Sequence, residues 1–204
     1  MSSTIKVLLA EDQSMVREAL AALLGLEDDI EVVAQVARGD EVLAAAREHG
    51  VDVALLDIEM PGCTGIEAAA RVRRELPGVK LVVLTTFGRP GYLRSAMEAG
   101  ADAFLVKDAP AAQLADAVRK VLSGERVIDP TLAAAALAEG ANPLTDRERE
   151  VLRAAADGST NAELARTLHL SQGTVRNYLS TAIQKLTARN RTEAAHIAQK
   201  KGWL

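Results

Sequence analysis

The chain has 204 residues, 49% hydrophobic and 25% charged, which suits one large or two small domains with buried cores and excludes a disordered or minimal peptide. A single cysteine, Cys63, excludes an intramolecular disulfide and a thiolate metal cluster, and with no secretory leader and no run of about 18 apolar residues the expected setting is the cytoplasm, without membrane insertion. The net charge of −4 hides an asymmetry: residues 144–204 hold 10 Lys+Arg against 6 Asp+Glu and residues 1–143 hold 14 against 22, so a module of +4 follows one of −8 and invites an anionic partner.

From the N-terminus, aliphatic runs alternate with segments of helical composition. The runs are 5–10, 31–36, 53–56, 81–84 and 103–106, and four of the five are nearly continuous, as expected of parallel strands covered on both faces. Helical segments fall at 14–26, 39–49, 64–76, 90–100 and 110–123. Five β/α units predict a doubly wound α/β domain with a five-stranded parallel sheet over residues 1–124. Residues 125–143 read as a linker, with a stop at Asp129-Pro130 and a short alanine-rich helix over 132–139. Residues 144–204 read as a small all-α domain of four helices, three of them opened by the cap signatures Thr145-x-x-Glu148, Thr160-x-x-Glu163 and Asn190-x-x-Glu193.

Ligands bind at the carboxyl ends of the strands in such a sheet. Glu11 and Asp12 follow the first run, Asp57 the third, Thr85 the fourth and Lys107 the fifth, so three carboxylates, a hydroxyl and an ammonium share one edge. Converging carboxylates call for a hard divalent cation such as Mg2+, and Glu11, Asp12 and Asp57 supply its cradle. Lys107 and Thr85 would engage further anionic oxygens, which together suits a phosphoryl group, and Asp57, ending the central strand, is the best nucleophile. Taken singly, Asp12 also fits a helix N-cap.

The segment Leu55-Leu56-Asp57-Ile58-Glu59-Met60-Pro61-Gly62-x-x-Gly65, with Glu11-Asp12, Thr85 and Lys107, resembles the receiver domain of two-component response regulators, a CheY-like, flavodoxin-like fold. The resemblance implies that Asp57 takes a phosphoryl group from a phosphohistidine of a sensor histidine kinase. It implies Mg2+ held by Asp12 and Asp57, assisted by Glu11 and by the backbone carbonyl of Glu59. It makes Thr85 and Phe104 a switch pair in which the hydroxyl moves toward the phosphoryl group and the ring turns into the vacated space. Phe104 also fits a permanent core position.

The tail, with Leu144-Thr145-Asp146-Arg147-Glu148, Gly158, Asn161, Glu163-Leu164-Ala165, Leu170-Ser171 and Thr174-Val175-Arg176-Asn177-Tyr178, resembles the LuxR-type helix-turn-helix. The resemblance places a supporting helix at 160–168, a turn at 168–170 and a recognition helix at 171–186. Val175, Leu179, Ala182, Ile183 and Leu186 recur on one helical face and point inward, leaving Thr174, Arg176, Asn177, Ser180, Thr181, Gln184 and Lys185 outward. The DNA-contacting set that the resemblance implies is Ser171, Thr174, Arg176, Asn177, Ser180 and Lys185. Arg176 and Asn177 suit base edges and Lys185 suits phosphate. The whole chain is similar to NarL/LuxR response regulators, which implies homodimers, formed on phosphorylation, that bind two half-sites of a promoter. Leu84-Thr85-Thr86-Phe87-x-Arg89-Pro90-Gly91-Tyr92 and Asn142-Pro143 resemble the DesR-like branch, linked to control of membrane-lipid desaturation.

Two other classes fit parts of the chain. A metal-dependent phosphatase would use the same carboxylates, but Asp57-Ile58-Glu59 lacks the usual second aspartate and no cap insertion is evident. A protein-binding adaptor would use the helical domain without DNA and leave Arg176 and Asn177 without a task.

Overall fold

The structure, a computed structural model, describes residues 4–86, 88–108 and 110–204. Phe87 of the branch motif lies outside them. The chain forms two compact units, one holding the sheet and the other the last four helices.

In the first unit β1 (Ile5–Ala10), β2 (Ile30–Val36), β3 (Val53–Asp57), β4 (Lys80–Thr85), β5 (Ala103–Val106) and β6 (Val127–Ile128) make one parallel sheet in the order β2-β1-β3-β4-β5-β6. Around it run α1 (Ser14–Leu24), α2 (Val42–His49), α3 (Gly65–Glu75), α4 (Pro90–Glu98) and α5 (Ala111–Leu122), with a 3-10 turn at Gly39–Glu41 ahead of α2. All five expected strands are present, but the sheet has six. Val127 and Ile128, inside the segment read as linker, pair with Ala103 and Phe104. A two-residue strand has no periodicity to detect, and its effect is to cover the open edge of β5.

All five residues of β3 are buried, which explains why the run is apolar throughout until Asp57. Leu8, Ala10, Ala54, Leu56 and Leu81 face α2 and α3, packing on Val42, Ala46, Ala68, Ala69 and Val72. Val7, Leu9, Leu55, Val82 and Leu84 face the other way onto Leu24, Leu114, Val118 and Val121. Burying aliphatic side chains on both faces, at about 2 kcal/mol each, fixes which residues stand at the strand ends.

Asp129-Pro130, read as a stop, opens the alanine-rich helix expected over 132–139. The Asp129 Oδ1 accepts from the N–H groups of Thr131 and Leu132 at 2.8 and 3.0 Å, and α6 runs Pro130–Glu139 with proline at its first position.

The second unit holds α7 (Asp146–Ala155), α8 (Asn161–Thr167), α9 (Gln172–Lys185) and α10 (Arg191–Lys200). Thr145/Glu148 and Thr160/Glu163 form reciprocal capping boxes. Asn190 caps α10 by accepting from the Glu193 N–H, but the Glu193 carboxylate turns to the Arg189 N–H and guanidinium. Val175, Leu179, Ala182 and Leu186 are buried and Ile183 is partly so, packing with Val151, Leu152, Leu164, Ala194, Ala198 and Trp203.

Candidate functional site

The strand order reverses at β1 and β3, and the crevice beyond their carboxyl ends is where the acidic residues gather. Glu11, Asp12 and Asp57 each offer an oxygen within 4.8 Å of the others. The Lys107 ammonium donates to Glu11 Oε2 at 2.5 Å and lies 2.9 Å from Asp57 Oδ1. Glu11, Asp57 and Thr85 are buried, whereas Asp12 is exposed, so the cluster opens to water on one side. Asp12 is not a helix cap: Gln13 holds that position at the start of α1.

Burial pushes the Asp57 carboxyl above its ordinary range, against the opposing pull of Lys107. Burial likewise disfavours the Lys107 ammonium, but its bonds to Glu11 and Asp57 outweigh this and raise its pKa. The ammonium is therefore held charged and the Asp57 carboxylate is held in an environment that favours neutralisation. Among the described residues Lys107 is the cation paired with the three carboxylates, the Arg17 guanidinium donating to the Glu11 backbone carbonyl instead at 2.5 Å, and the remaining deficit is one that a hard cation would relieve.

The loop after Asp57 is set by close approach. A Cβ on Gly65 would lie 1.9 Å from the Asp57 carbonyl oxygen, and the Gly65 N–H donates to the Ile58 carbonyl at 3.0 Å. A capping box absent from the expected set, Thr64 with Glu67, starts α3 immediately beyond. Glu59 is exposed and its carboxylate is outside the trio of Glu11, Asp12 and Asp57. Cys63 is buried and its thiol is pushed up by burial, which leaves little thiolate for chemistry. Phe104 is fully buried, level with Val83 on β4 and so on the same sheet face as Thr85 two residues further along.

In the helical unit Ser171 caps α9, accepting from the Thr174 N–H at 3.0 Å, and the two hydroxyls lie 2.8 Å apart. Arg176, Asn177 and Ser180 are exposed on that helix, and among the described residues no carboxylate pairs with the Arg176 guanidinium. Arg176 and Ser180 line an open groove of about 500 Å³ together with Asn161 and Arg191. Asn161 and Arg191 were not in the expected set, because the contact joins the starts of α8 and α10 to α9 across the turn, which spacing along the chain does not reveal. Lys185, expected to meet phosphate, donates to both oxygens of the buried Glu148 at 3.0 and 2.7 Å.

Residues 7–119 match the response regulator receiver domain family and residues 142–198 match the luxR family of bacterial regulatory proteins. The chain is a two-component response regulator of the NarL/LuxR family. It is 46% identical to the transcriptional regulatory protein DesR of Bacillus subtilis, over 98% of each chain, and 43% identical to the response regulator RamR of Streptomyces coelicolor, over the whole of both. The crystal structure of ChrA, a response regulator of a heme-sensing two-component system, aligns over the full length of both chains at 34% identity with a TM-score of 0.59. The regulator is thus a phosphorylation-activated, DNA-binding transcriptional regulator closely related to DesR-like proteins, in a family of transcription factors rather than enzymes. That family assignment replaces the phosphatase and adaptor alternatives. Among the described residues no helix is long and apolar enough to cross a membrane.

Proposed function

We propose that Asp57 is the phosphoacceptor, taking its phosphoryl group from a phosphohistidine on a sensor histidine kinase. The observation that carries this reading is the buried carboxylate at the end of the central strand, 2.9 Å from a lysine that is itself outnumbered by carboxylates. The Asp57 oxygen bonds to phosphorus as the N–P bond breaks, and the departing electron pair stays on the imidazole, which takes up a proton. Lys107, already in reach of Asp57, meets one of the phosphoryl oxygens as a point charge, and Thr85, at the end of the adjacent strand, donates to another.

The donor set fits Mg2+, being all oxygen and short of positive charge. Asp12 and Asp57, with Glu11 beside them and the Glu59 carbonyl, would hold it, and when bound it supplies charge neutralisation for the attacking and transferred oxygens. The added negative charge draws the Thr85 hydroxyl inward, and Phe104, on the same face, follows into the space released.

In the same reading the altered receiver surface favours a homodimer, which raises the effective concentration of two helical units on two half-sites. Arg176 and Asn177 read base edges from α9, and Ser171, Thr174 and Ser180 fix its register on the backbone. Asn161 and Arg191, sharing the groove with Arg176, are suited to phosphate. Lys185 acts by tying α9 to α7. The branch resemblance extends the proposal to genes of membrane-lipid desaturation.

Incubation with a small acyl phosphate and Mg2+ tests the acceptor. Intact-mass measurement is expected to show one added phosphoryl group on the wild type and none on Asp57→Asn. Phosphorylation of the variant on the same peptide would contradict the assignment.

A further inference from the structure

The loop that carries Glu59 is fastened from outside its own strand. The Gly39 N–H, in the turn between β2 and α2, donates to the Pro61 carbonyl at 3.0 Å, and Gly39 is buried. Its φ is unremarkable for any residue, so the need for glycine is one of space: a Cβ there would lie 2.0 Å from the Cys63 carbonyl oxygen and 2.9 Å from its carbon. A second contact runs the other way. Gly62, at φ +83°, sits so close to the next residue of the turn that its Cβ would be 2.3 Å from Asp40 Oδ1. Asp40 is held there by two bonds from the Arg38 guanidinium, at 3.0 and 2.9 Å. The middle of the loop is therefore clamped between Gly39 and Asp40, while its far end is fixed by Gly65 and the Thr64/Glu67 box.

We propose that the turn Arg38-Gly39-Asp40 is a latch that sets the height of the loop 58–63, making Gly39 a positioning residue for metal-dependent phosphoryl transfer. The inference rests on the reading in which the Glu59 carbonyl is a ligand. Glu59 lies between two fixed points, Asp57 at the end of β3 and Pro61 on the latch, so a displacement at Pro61 is transmitted to the carbonyl two residues before it. Outer supports of this kind change metal affinity about tenfold or more when removed.

The test uses the full-length protein and Mg2+ alone, without phosphodonor, followed by the amide shifts of residues 58–63. Gly39→Ala is expected to raise the half-saturating Mg2+ about tenfold, and phosphorylation by an acyl phosphate is expected to recover to within about twofold once Mg2+ is saturating. Asp40→Ala, on the exposed side of the latch, is expected to give a smaller shift in the same direction, and it decides the matter if Gly39→Ala does not fold. Gly100→Ala, which strains a φ of +88° and crowds Arg73 away from the loop, is expected to lower thermal stability with Mg2+ affinity unchanged. Wild-type Mg2+ affinity in both latch variants would overturn the proposal, as would a rate loss in Gly39→Ala that saturating Mg2+ leaves in place. A wild type whose loop amides do not respond to Mg2+ would overturn the metal reading itself, and the latch with it.

Discussion

Lys107 and Lys185 both end on a buried glutamate, the first 2.5 Å from Glu11 in the receiver unit and the second 2.7 Å from Glu148 in the helical unit. The surroundings differ. Glu148 has one lysine to itself, and its second task, accepting from the Thr145 N–H at 2.7 Å, completes a helix cap. Lys107 is shared between Glu11 and Asp57, with Asp12 close by. The same pair of residue types is thus a closed structural tie in one unit and the incomplete neutralisation of an anionic cleft in the other. Local charge balance, rather than burial, separates scaffold from site.

The largest expected effect is at the incomplete cluster. Asp57→Asn is expected to abolish phosphorylation, and Lys107→Ala to slow it about 100-fold, the cost of losing one preorganised charge at the transferred group. Phosphoryl uptake by Lys107→Ala at the wild-type rate would remove the functional side of the comparison.

In the helical unit the two outward cations of α9 are expected to separate. Arg176→Ala should cost about 1–3 kcal/mol at one base position and relax specificity there, as read by competition among mutated sites. Lys185→Met leaves Glu148 buried without its cation and is expected to lower the stability of the unit by about 2 kcal/mol. Trp203, the one tryptophan of the chain and part of that core, reports it by fluorescence. The salt dependence of DNA binding should stay as in the wild type. A slope smaller by about one with unchanged stability would instead return Lys185 to phosphate contact.

The smallest effect is a difference of sign with pH. The raised carboxyl of Asp57 binds its proton more readily folded than unfolded, so its contribution improves stability as pH falls through the folded value toward 3.8. Glu148 is opposite. Burial opposes its charge, but Lys185 and the Thr145 N–H more than offset this and hold it below 4.5, so its stabilisation is full above that value and is lost as pH falls further. Asp29, Asp40 and Glu75, held low by Arg119, Arg38 and Arg47, run with Glu148 rather than with Asp57. The check is therefore the difference between wild type and Asp57→Asn: amide protection in β3 should show the variant losing more stability on acidification, with the denaturation followed at Trp203 unchanged.

Much of this was legible in the residues themselves. Continuous apolar runs announce buried parallel strands, and once those are placed the carboxyl ends bring Glu11, Asp12, Asp57, Thr85 and Lys107 to one edge without further information. Reciprocal caps at Thr145 and Thr160 follow from a three-residue spacing. What escaped was either too short or too distant in the chain. Val127–Ile128 is a strand only because β5 offers an open edge. Asp129-Pro130 is ambiguous, since proline ends one helix and starts another equally well. The Lys185–Glu148 pair spans 37 residues, and outward periodicity on α9 says nothing of a buried acid on α7 waiting at its end.

The most direct test of the account is selection of DNA from a random pool by the purified regulator, with and without an acyl phosphate and Mg2+, beside Asp57→Ala. Enrichment of a two-half-site motif that strengthens with the donor in the wild type, and does not change with it in the variant, is the predicted result. Equal enrichment in all four conditions, or a donor response that survives in Asp57→Ala, would contradict the claim that the charge-deficient cleft governs the DNA-binding unit.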